Sequence, residues 1–281
     1  MFHNQVTEDQ EIKMRRYATT MALGLTAALL LTGNAFALSY DNNITIYDGS
    51  STAPTGWYGT QEDQETEPGM VATQPWDLEA FYQKDNALTM VGGYNFVTGK
   101  DGFYSGDIFI DTDGLYGKTQ APKGFLPSTG NKIVTGSFGY EYVLDLDFTN
   151  LTYLVYKLDT ADVKTITVYY PQNELTDPSS NPWRYLSGGT RKGSGTIDYA
   201  AALTDSAVGR LIGGDHYAAG VDLSFLDPAQ QFVAHFTMGC GNDNLLGSGT
   251  TAPVPEPATM LLFGTGISGL AAWQRRKFRK A

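Results

Sequence analysis

The feature that most constrains this chain is a series of short runs in which apolar and polar residues alternate. Clusters of Gly, Asn, Asp and Pro separate these runs. In the clearest run, Tyr140–Phe148, every second residue from Tyr140 is apolar, and charged residues occupy most positions between. Side chains alternate between the two faces of a β-strand, so this spacing indicates a strand with one face on a core. No long helical periodicity occurs between residues 38 and 253, and the pattern predicts an all-β fold.

Nine such runs predict strands. They are Ile44–Tyr47, Leu88–Phe96, Tyr104–Asp111, Tyr140–Phe148, Tyr153–Leu158, Lys164–Tyr170, Val208–Ile212, Tyr217–Phe225 and Phe232–Met238. About nine antiparallel strands favour one β-sandwich or jelly roll. Outside the two ends of the chain, helix is expected only as a short turn near Trp76–Tyr82 or Tyr199–Thr204. The acidic stretch Glu62–Glu67 is expected to be a mobile loop.

Charge and cysteine content exclude some classes of function. Residues 38–253 contain 11 basic and 26 acidic residues, a net charge of −15, which disfavours contact with nucleic acid and favours cations. Cys240 is the only cysteine, so the chain can form neither an intramolecular disulfide nor a cysteine-based zinc site.

The N-terminus has the pattern of a secretory signal peptide. Basic residues precede the apolar run Met21–Leu31, and small residues follow at Ala35 and Ala37. This order of positive, apolar and small-residue segments predicts a helical signal peptide over residues 1–37, cleaved after Ala37. The apolar run is shorter than the roughly 20 residues that span a bilayer, which argues against a permanent anchor.

The C-terminus combines three signals in a fixed order. Pro255, Glu256 and Pro257 are followed by the apolar stretch Ala258–Trp273, 16 residues long, and then by a basic cluster at 275–280. The basic cluster is expected to stay on the cytoplasmic side of the inner membrane. The apolar stretch is short for a permanent span, so a short hydrophobic helix that is processed fits better.

This tail resembles the PEP-CTERM sorting signals of Gram-negative bacteria that make exopolysaccharide. The resemblance covers about a tenth of the chain. It implies that an exosortase recognises the Pro-Glu-Pro motif, and that the protein associates transiently with the inner membrane before release to the cell surface or matrix. Together with the strand pattern, the two terminal signals predict the order signal peptide (1–37), β-sandwich domain (38–240), linker (241–253) and sorting signal (254–281). Signal peptidase and exosortase are the implied partners, and exopolysaccharide is a further candidate partner.

The segment 106–114 is the best local motif for a metal. Asp107, Asp111 and Asp113 share a strand face by alternation and run into an Asp-Gly turn. Closely spaced carboxylates can bind Ca²⁺, although the segment is not an EF-hand loop. The alternative is a strand with a solvated outer face.

Two aromatic residues are candidates for contact with a glycan. Trp183 and Tyr185 flank Arg184 in a Pro/Ser/Gly-rich segment and could stack on pyranose rings. The alternative is that they fill an end of the sandwich, since large aromatics are mostly buried.

Three functions remain open for the exported domain. The leading hypothesis is a non-enzymatic protein of the cell surface or biofilm matrix. The second is a glycan-binding β-sandwich module, and the third is a secreted glycan-active enzyme. A glycosidase needs two carboxylates at a set separation, and 26 acidic residues make any such pair uninformative. No catalytic residue is predicted.

Overall fold

Fourteen β-strands form in the part of the chain that the computed structural model describes, residues 37–47, 62–67, 69–115, 129–170 and 180–253. In chain order they are β1 (Thr45–Ile46), β2 (Leu78–Lys84), β3 (Ala87–Gly92), β4 (Ile108–Asp111), β5 (Ile133–Thr135), β6 (Tyr142–Asp147), β7 (Thr152–Lys157), β8 (Lys164–Ile166), β9 (Arg184–Ser187), β10 (Thr190–Thr196), β11 (Asp198–Leu203), β12 (His216–Asp222), β13 (Gln231–Thr237) and β14 (Asn244–Thr250). Helix in these ranges is limited to two 3₁₀ turns, Gln74–Trp76 and Asp205–Ala207.

The strands form three antiparallel sheets. A seven-stranded sheet has the order β1-β14-β13-β4-β6-β7-β10, and a four-stranded sheet has the order β11-β12-β3-β2. A third sheet of three short strands has the order β5-β8-β9. The predicted all-β antiparallel sandwich is confirmed. The helices predicted at the two ends of the chain lie outside the described residues.

The main hydrophobic core lies between the seven-stranded and four-stranded sheets. Phe81 and Met90 contribute from the smaller sheet, and Ile110, Leu144 and Phe236 contribute from the larger. Each of these side chains is at most 1% exposed. Burying a side chain of this size stabilises the fold by roughly 1.5–3 kcal/mol, so the alternating pattern is the main source of stability.

The seven-stranded sheet is covered on its second face as well. Val143 of β6 and Phe109 of β4 point away from the main core and pack with Tyr140 and with Tyr185 of β9. The face of β6 that alternation assigned to solvent is therefore partly buried by the third sheet. The alternation pattern shows that this face of the strand carries both apolar and charged residues. It does not show which element covers the face.

The segment predicted as a linker, 241–253, contains a central strand instead. Strand β14 pairs with β1 and β13, and most of it is buried. Its Gly-Ser-Gly composition is typical of linkers, but here the glycines allow close packing. A Cβ at Gly247 would lie 2.9 Å from Phe81 Cβ, and one at Gly249 would lie 2.7 Å from the ring of Phe232.

One predicted strand is wrong and two predicted turns are displaced. Val208–Ile212 is not a strand, because Gly209 and Arg210 have φ of 76° and 75°, which an extended strand cannot contain. Short helical turns do form near the two predicted places, at Gln74–Trp76 and Asp205–Ala207, but most of Trp76–Tyr82 and Tyr199–Thr204 belongs to strands β2 and β11. Strand β11 is rich in alanine, and its pairing with β12 overrides that local preference.

Candidate metal centre

The acidic segment 62–67 is packed into the protein and is not a mobile loop. The exposed fraction is 5% for Glu62, 2% for Glu65 and 3% for Glu67. The Glu67 N–H donates to the carbonyl of Asn242 at 3.1 Å, which fastens the segment to the turn between β13 and β14. The acidic composition of this segment therefore did not predict its exposure, because other parts of the chain cover it.

Two further carboxylates meet this segment at the beginning of β2. Asp77 ends the first 3₁₀ turn and Glu79 lies two residues later, so both side chains project to the same side of the strand. Asp77 is fully buried and Glu79 is 1% exposed. Asp63, Asp77 and Glu79 each place one carboxylate oxygen within 4.8 Å of the others. We call these three residues the acidic triad.

Two members of the triad, Asp63 and Asp77, each accept a backbone N–H through only one of their two carboxylate oxygens. Asp63 Oδ2 accepts from the Ile212 N–H at 3.1 Å, and Asp77 Oδ2 accepts from the Gln64 N–H at 2.9 Å. The second oxygen, Oδ1, of each side chain is buried and accepts no hydrogen bond from the described residues. A buried carboxylate oxygen in that state is unfavourable unless a proton or a cation compensates it.

The third member of the triad pairs with a buried histidine at the start of β12. His216 Nδ1 lies 2.8 Å from both Glu79 oxygens, and His216 Nε2 lies 3.0 Å from Asp205 Oδ1. When these carboxylates are ionised, both ring nitrogens must donate to them, and the ring is then an imidazolium. The Gln74 side-chain amide also donates to Glu79 Oε1 at 2.7 Å.

A fourth carboxylate beside the triad has a structural role. Asp243 is 1% exposed, and its Oδ2 accepts from the Leu78 N–H while its Oδ1 accepts from the Asn244 N–H at 2.9 Å. Both oxygens are therefore used by the backbone where β2 and β14 begin. This carboxylate connects the two sheets and has no oxygen left without a hydrogen bond.

Burial shifts the protonation equilibria at the triad. Desolvation, with the charge of Glu79 adding to it, raises the pKa of Asp63 to about 7. Desolvation and the neighbouring charge of Glu79 also raise the pKa of Asp77, and desolvation raises that of Glu79. For His216, burial lowers the pKa, but the hydrogen bonds and charges of Glu79 and Asp205 outweigh burial and the net shift is upward. The carboxylates are crowded enough to retain protons when no cation is present.

The aspartates predicted to bind calcium do not meet at one point. Asp107 and Asp111 are four residues apart in an extended segment, so their Cα atoms are about 13 Å apart at the usual rise of a strand. That distance is too large for both carboxylates to bind one ion. Asp107 is fully occupied, since its Oδ1 accepts from the Leu146 N–H at 2.9 Å and its Oδ2 from the Tyr185 N–H at 2.7 Å. It joins β6 to β9 as a structural carboxylate.

Asp111 and Asp113 do come together, with a partner that sequence reasoning missed. Glu141, just before β6, lies close enough that the three side chains each place an oxygen within 4.8 Å of the others. Hydrogen bonds of the turn already use this group. Asp111 accepts from the Gly114 N–H at 2.6 Å and from the Leu115 N–H at 2.9 Å, and Glu141 Oε2 accepts from the Thr112 N–H at 2.6 Å.

The two candidate glycan-binding aromatics are buried. Trp183 is 9% exposed and packs over Gly239, and Tyr185 is 8% exposed and stacks on Tyr156 with ring centroids 4.8 Å apart. The Tyr185 hydroxyl donates to the Gly188 carbonyl at 2.6 Å. Stacking on a sugar needs an exposed ring face, and both rings instead contribute to packing, as large aromatic side chains usually do.

The acidic triad was missed because Asp63 lies in a stretch predicted as a mobile loop, while Asp77 and Glu79 lie in a stretch predicted as a helical turn. The available signal was local: Asp77 and Glu79 share one strand face just before an apolar run. An acidic pair at the start of a buried strand needs compensation. Nothing in the linear sequence indicated that Asp63 would join it.

Most of the predicted processing residues lie outside the described part of the chain. These are Ala35 and the motif Pro255-Glu256-Pro257, whereas Ala37 is described and exposed. Within the described ranges, no helix has the length and apolar character needed to cross a membrane.

Comparison with known proteins identifies the C-terminal segment. The family model of the PEP-CTERM protein-sorting motif matches residues 253–277, directly after β14. No curated protein and no solved structure matches the chain. The match agrees with the order of Pro-Glu-Pro, apolar stretch and basic cluster in the sequence. This chain carries a PEP-CTERM protein-sorting motif, and the motif indicates an exported protein that an exosortase sorts to the cell surface.

Proposed function

We propose that this chain is a non-enzymatic component of the cell surface or extracellular matrix, released there after exosortase processing. The observation that carries the proposal is the PEP-CTERM motif at residues 253–277, which begins three residues after the last strand. A sorting signal so close to a folded β domain leaves the domain as the part delivered outside the cell.

The state of the nucleophilic side chains supports a non-enzymatic role. His216 and His235 are fully buried and Cys240 is 2% exposed. Burial raises the pKa of the Cys240 thiol to about 12, so the reactive thiolate is scarce at neutral pH. Burial lowers the pKa of His235 to about 3, so this ring does not exchange protons near pH 7.

The test is localisation in a host that has an exosortase. Replacing Pro255-Glu256-Pro257 by three alanines should keep the protein in the inner-membrane fraction with its tail uncleaved. The matched control is Pro228→Ala, which changes an exposed proline outside the sorting motif and should leave release unchanged. Normal release of the triple-alanine variant, shown by intact mass and fractionation, would contradict the sorting part of the proposal.

A groove on the domain favours glycan binding as a second candidate. Its volume is about 570 Å³, and its lining includes Tyr104, Asp145, Asp147 and Arg184. Tyr104 is 59% exposed, so its ring can stack on a sugar, while the carboxylates and the guanidinium can hydrogen-bond hydroxyl groups. This groove replaces the buried Trp183 and Tyr185 as the place to look for a glycan.

Affinity electrophoresis in gels that contain the host exopolysaccharide tests the second candidate. If the groove binds glycan, the wild-type chain is retarded and Tyr104→Ala is not. Tyr170→Ala removes another exposed tyrosine, outside the groove, and serves as the matched control. Assaying new reducing ends in the same samples separates binding from the third alternative, a glycan-active enzyme.

A further inference from the structure

We propose that Asp63, Asp77 and Glu79 together bind one calcium ion through their carboxylate oxygens. The three oxygens lie within 4.8 Å of one another. Calcium binds oxygen ligands at 2.3–2.6 Å, so two ligands of one ion are at most about 5 Å apart. The triad satisfies this limit without movement of the backbone.

The orientation of the side chains points to a ligand. Asp63 and Asp77 each use one oxygen to accept a backbone N–H, and each leaves Oδ1 buried with no hydrogen bond from the described part of the chain. Asp77 has no exposed surface at all. Metal-binding carboxylates are commonly held in this way, with an outer hydrogen bond fixing the group and the other oxygen on the ion. Asp243, with both oxygens used, lacks that feature.

The charge balance points to a divalent cation. Within the described ranges, lysine and arginine form no ion pair with the triad, and His216 is the cation that pairs with Glu79. His216 faces Asp205 as well as Glu79, so it does not neutralise the triad by itself, and a divalent ion would offset the excess negative charge.

The ligand chemistry favours calcium over other common metals. All three donors are carboxylate oxygens, which suit hard cations, and no cysteine is near to favour zinc. Calcium accepts six to eight ligands in irregular geometry, whereas magnesium needs a near-ideal octahedron at 2.0–2.1 Å. Three carboxylates on a loop and a strand start form an irregular set. Water or backbone carbonyls would complete the shell.

The competing explanation is that the triad shares protons and binds no metal. The two explanations predict opposite changes in the thermal midpoint when Asp77→Asn is measured in chelator and in calcium. Without a metal, the substitution removes a like charge and should leave the thermal midpoint unchanged or higher. With calcium, the same substitution removes a ligand and should lower the midpoint relative to wild type.

The experiment is thermal unfolding of the purified full chain, first stripped with chelator and then measured with and without calcium chloride. At a hundredfold excess over the dissociation constant, the wild-type midpoint should rise by roughly 5–10 °C. Asp77→Asn should lose most of that rise. The matched control is Asp113→Asn, which removes one carboxylate from the other acidic group (Asp111, Asp113 and Glu141) and should keep the rise in full.

The outcomes separate cleanly. Equal wild-type midpoints in chelator and in calcium would overturn the proposal. It would also be overturned if Asp113→Asn abolished the calcium-dependent rise in the midpoint while Asp77→Asn kept it. If Asp77→Asn does not fold, Asp63→Asn takes its place, because Asp63 is 8% exposed and lies on a loop. Calorimetric titration of the wild type with calcium chloride should give one site per chain, and absence of a binding isotherm would also refute the site.

Discussion

The acidic triad and Asp107 are both buried carboxylate sites, and they use their oxygens differently. Asp107 accepts two backbone N–H groups, from Leu146 and Tyr185, and so holds β6 and β9 together. Asp63 and Asp77 accept one N–H each, and their second oxygen accepts no hydrogen bond from the residues that the structure describes. Burial alone therefore does not distinguish a structural carboxylate from a candidate ligand. At Asp63 and Asp77 the oxygen that accepts no hydrogen bond from the described residues points to a ligand, whereas both Glu79 oxygens already face His216.

The largest effect expected from this comparison is the loss of Asp107. Asp107→Ala leaves two buried N–H groups without an acceptor and opens a small cavity, so the free energy of unfolding should fall by about 4 kcal/mol. Urea denaturation of the full chain at pH 7 measures this change. Asp113→Ala, on an exposed turn, is the control and should cost less than about 1 kcal/mol. A loss at Asp107 no larger than the control would show that these amides find other acceptors.

A smaller effect is expected from pH. Desolvation, with the charge of Asp145 adding to it, raises the pKa of Asp107 from 3.8 to about 7. Between these two pKa values the folded state binds a proton that the unfolded state releases. The contribution of Asp107 to the free energy of unfolding is therefore full below pH 3.8 and is lost as the pH rises through 7. Between pH 5 and pH 8, the wild type should lose about 2–3 kcal/mol relative to Asp107→Asn.

The comparison with Asp107→Asn is needed because another buried group acts in the opposite direction. Burial lowers the pKa of His235 from 6.5 to about 3, so its contribution is full above pH 6.5 and is lost as the pH falls. Urea denaturation of both proteins at several pH values gives the difference in their free energies of unfolding. The contribution of His235 is common to both proteins and cancels, which leaves the contribution of Asp107. A difference that does not change with pH would show that Asp107 stays ionised throughout, held by its two N–H donors.

The smallest effect is expected at an exposed carboxylate. Asp147 ends β6, and its Oδ1 accepts from the N–H groups of Thr149 and Asn150 at 3.0 Å each. These hydrogen bonds form a turn in water, where solvent can replace them. Asp147→Ala should therefore lower the free energy of unfolding by at most about 1 kcal/mol. A loss as large as that of Asp107→Ala would mean that the count of satisfied N–H groups matters more than their burial.

Much of the fold was predictable because its determinants are local. Alternation over Tyr140–Phe148 and Phe232–Met238 predicted β6 and β13, since a strand with one face in a core must alternate. The failures also have local causes. Glycine-rich β14 was predicted as a linker because its pairing depends on backbone hydrogen bonds and close packing, neither of which leaves a side-chain pattern.

The sites were less predictable because their members are distant in sequence. Glu141 joins Asp111 and Asp113 only because β4 and β6 are neighbours in the sheet. Trp183 and Tyr185 were predicted to be available to a glycan, and both are buried, with Tyr185 packed against the seven-stranded sheet. Sequence shows which side chains could take part in binding, and packing determines which of them reach solvent.

The sequence by itself determined the all-β class and the sorting motif, because alternation and a Pro-Glu-Pro tail are contiguous patterns. Only the tertiary structure decided that Asp63 meets Asp77, Glu79 and His216, since that contact requires a loop, β2 and β12 to converge. The physical reason is that a carboxylate becomes a candidate ligand through its surroundings. Burial, a second carboxylate and an oxygen without a donor are all supplied by residues far away in the chain.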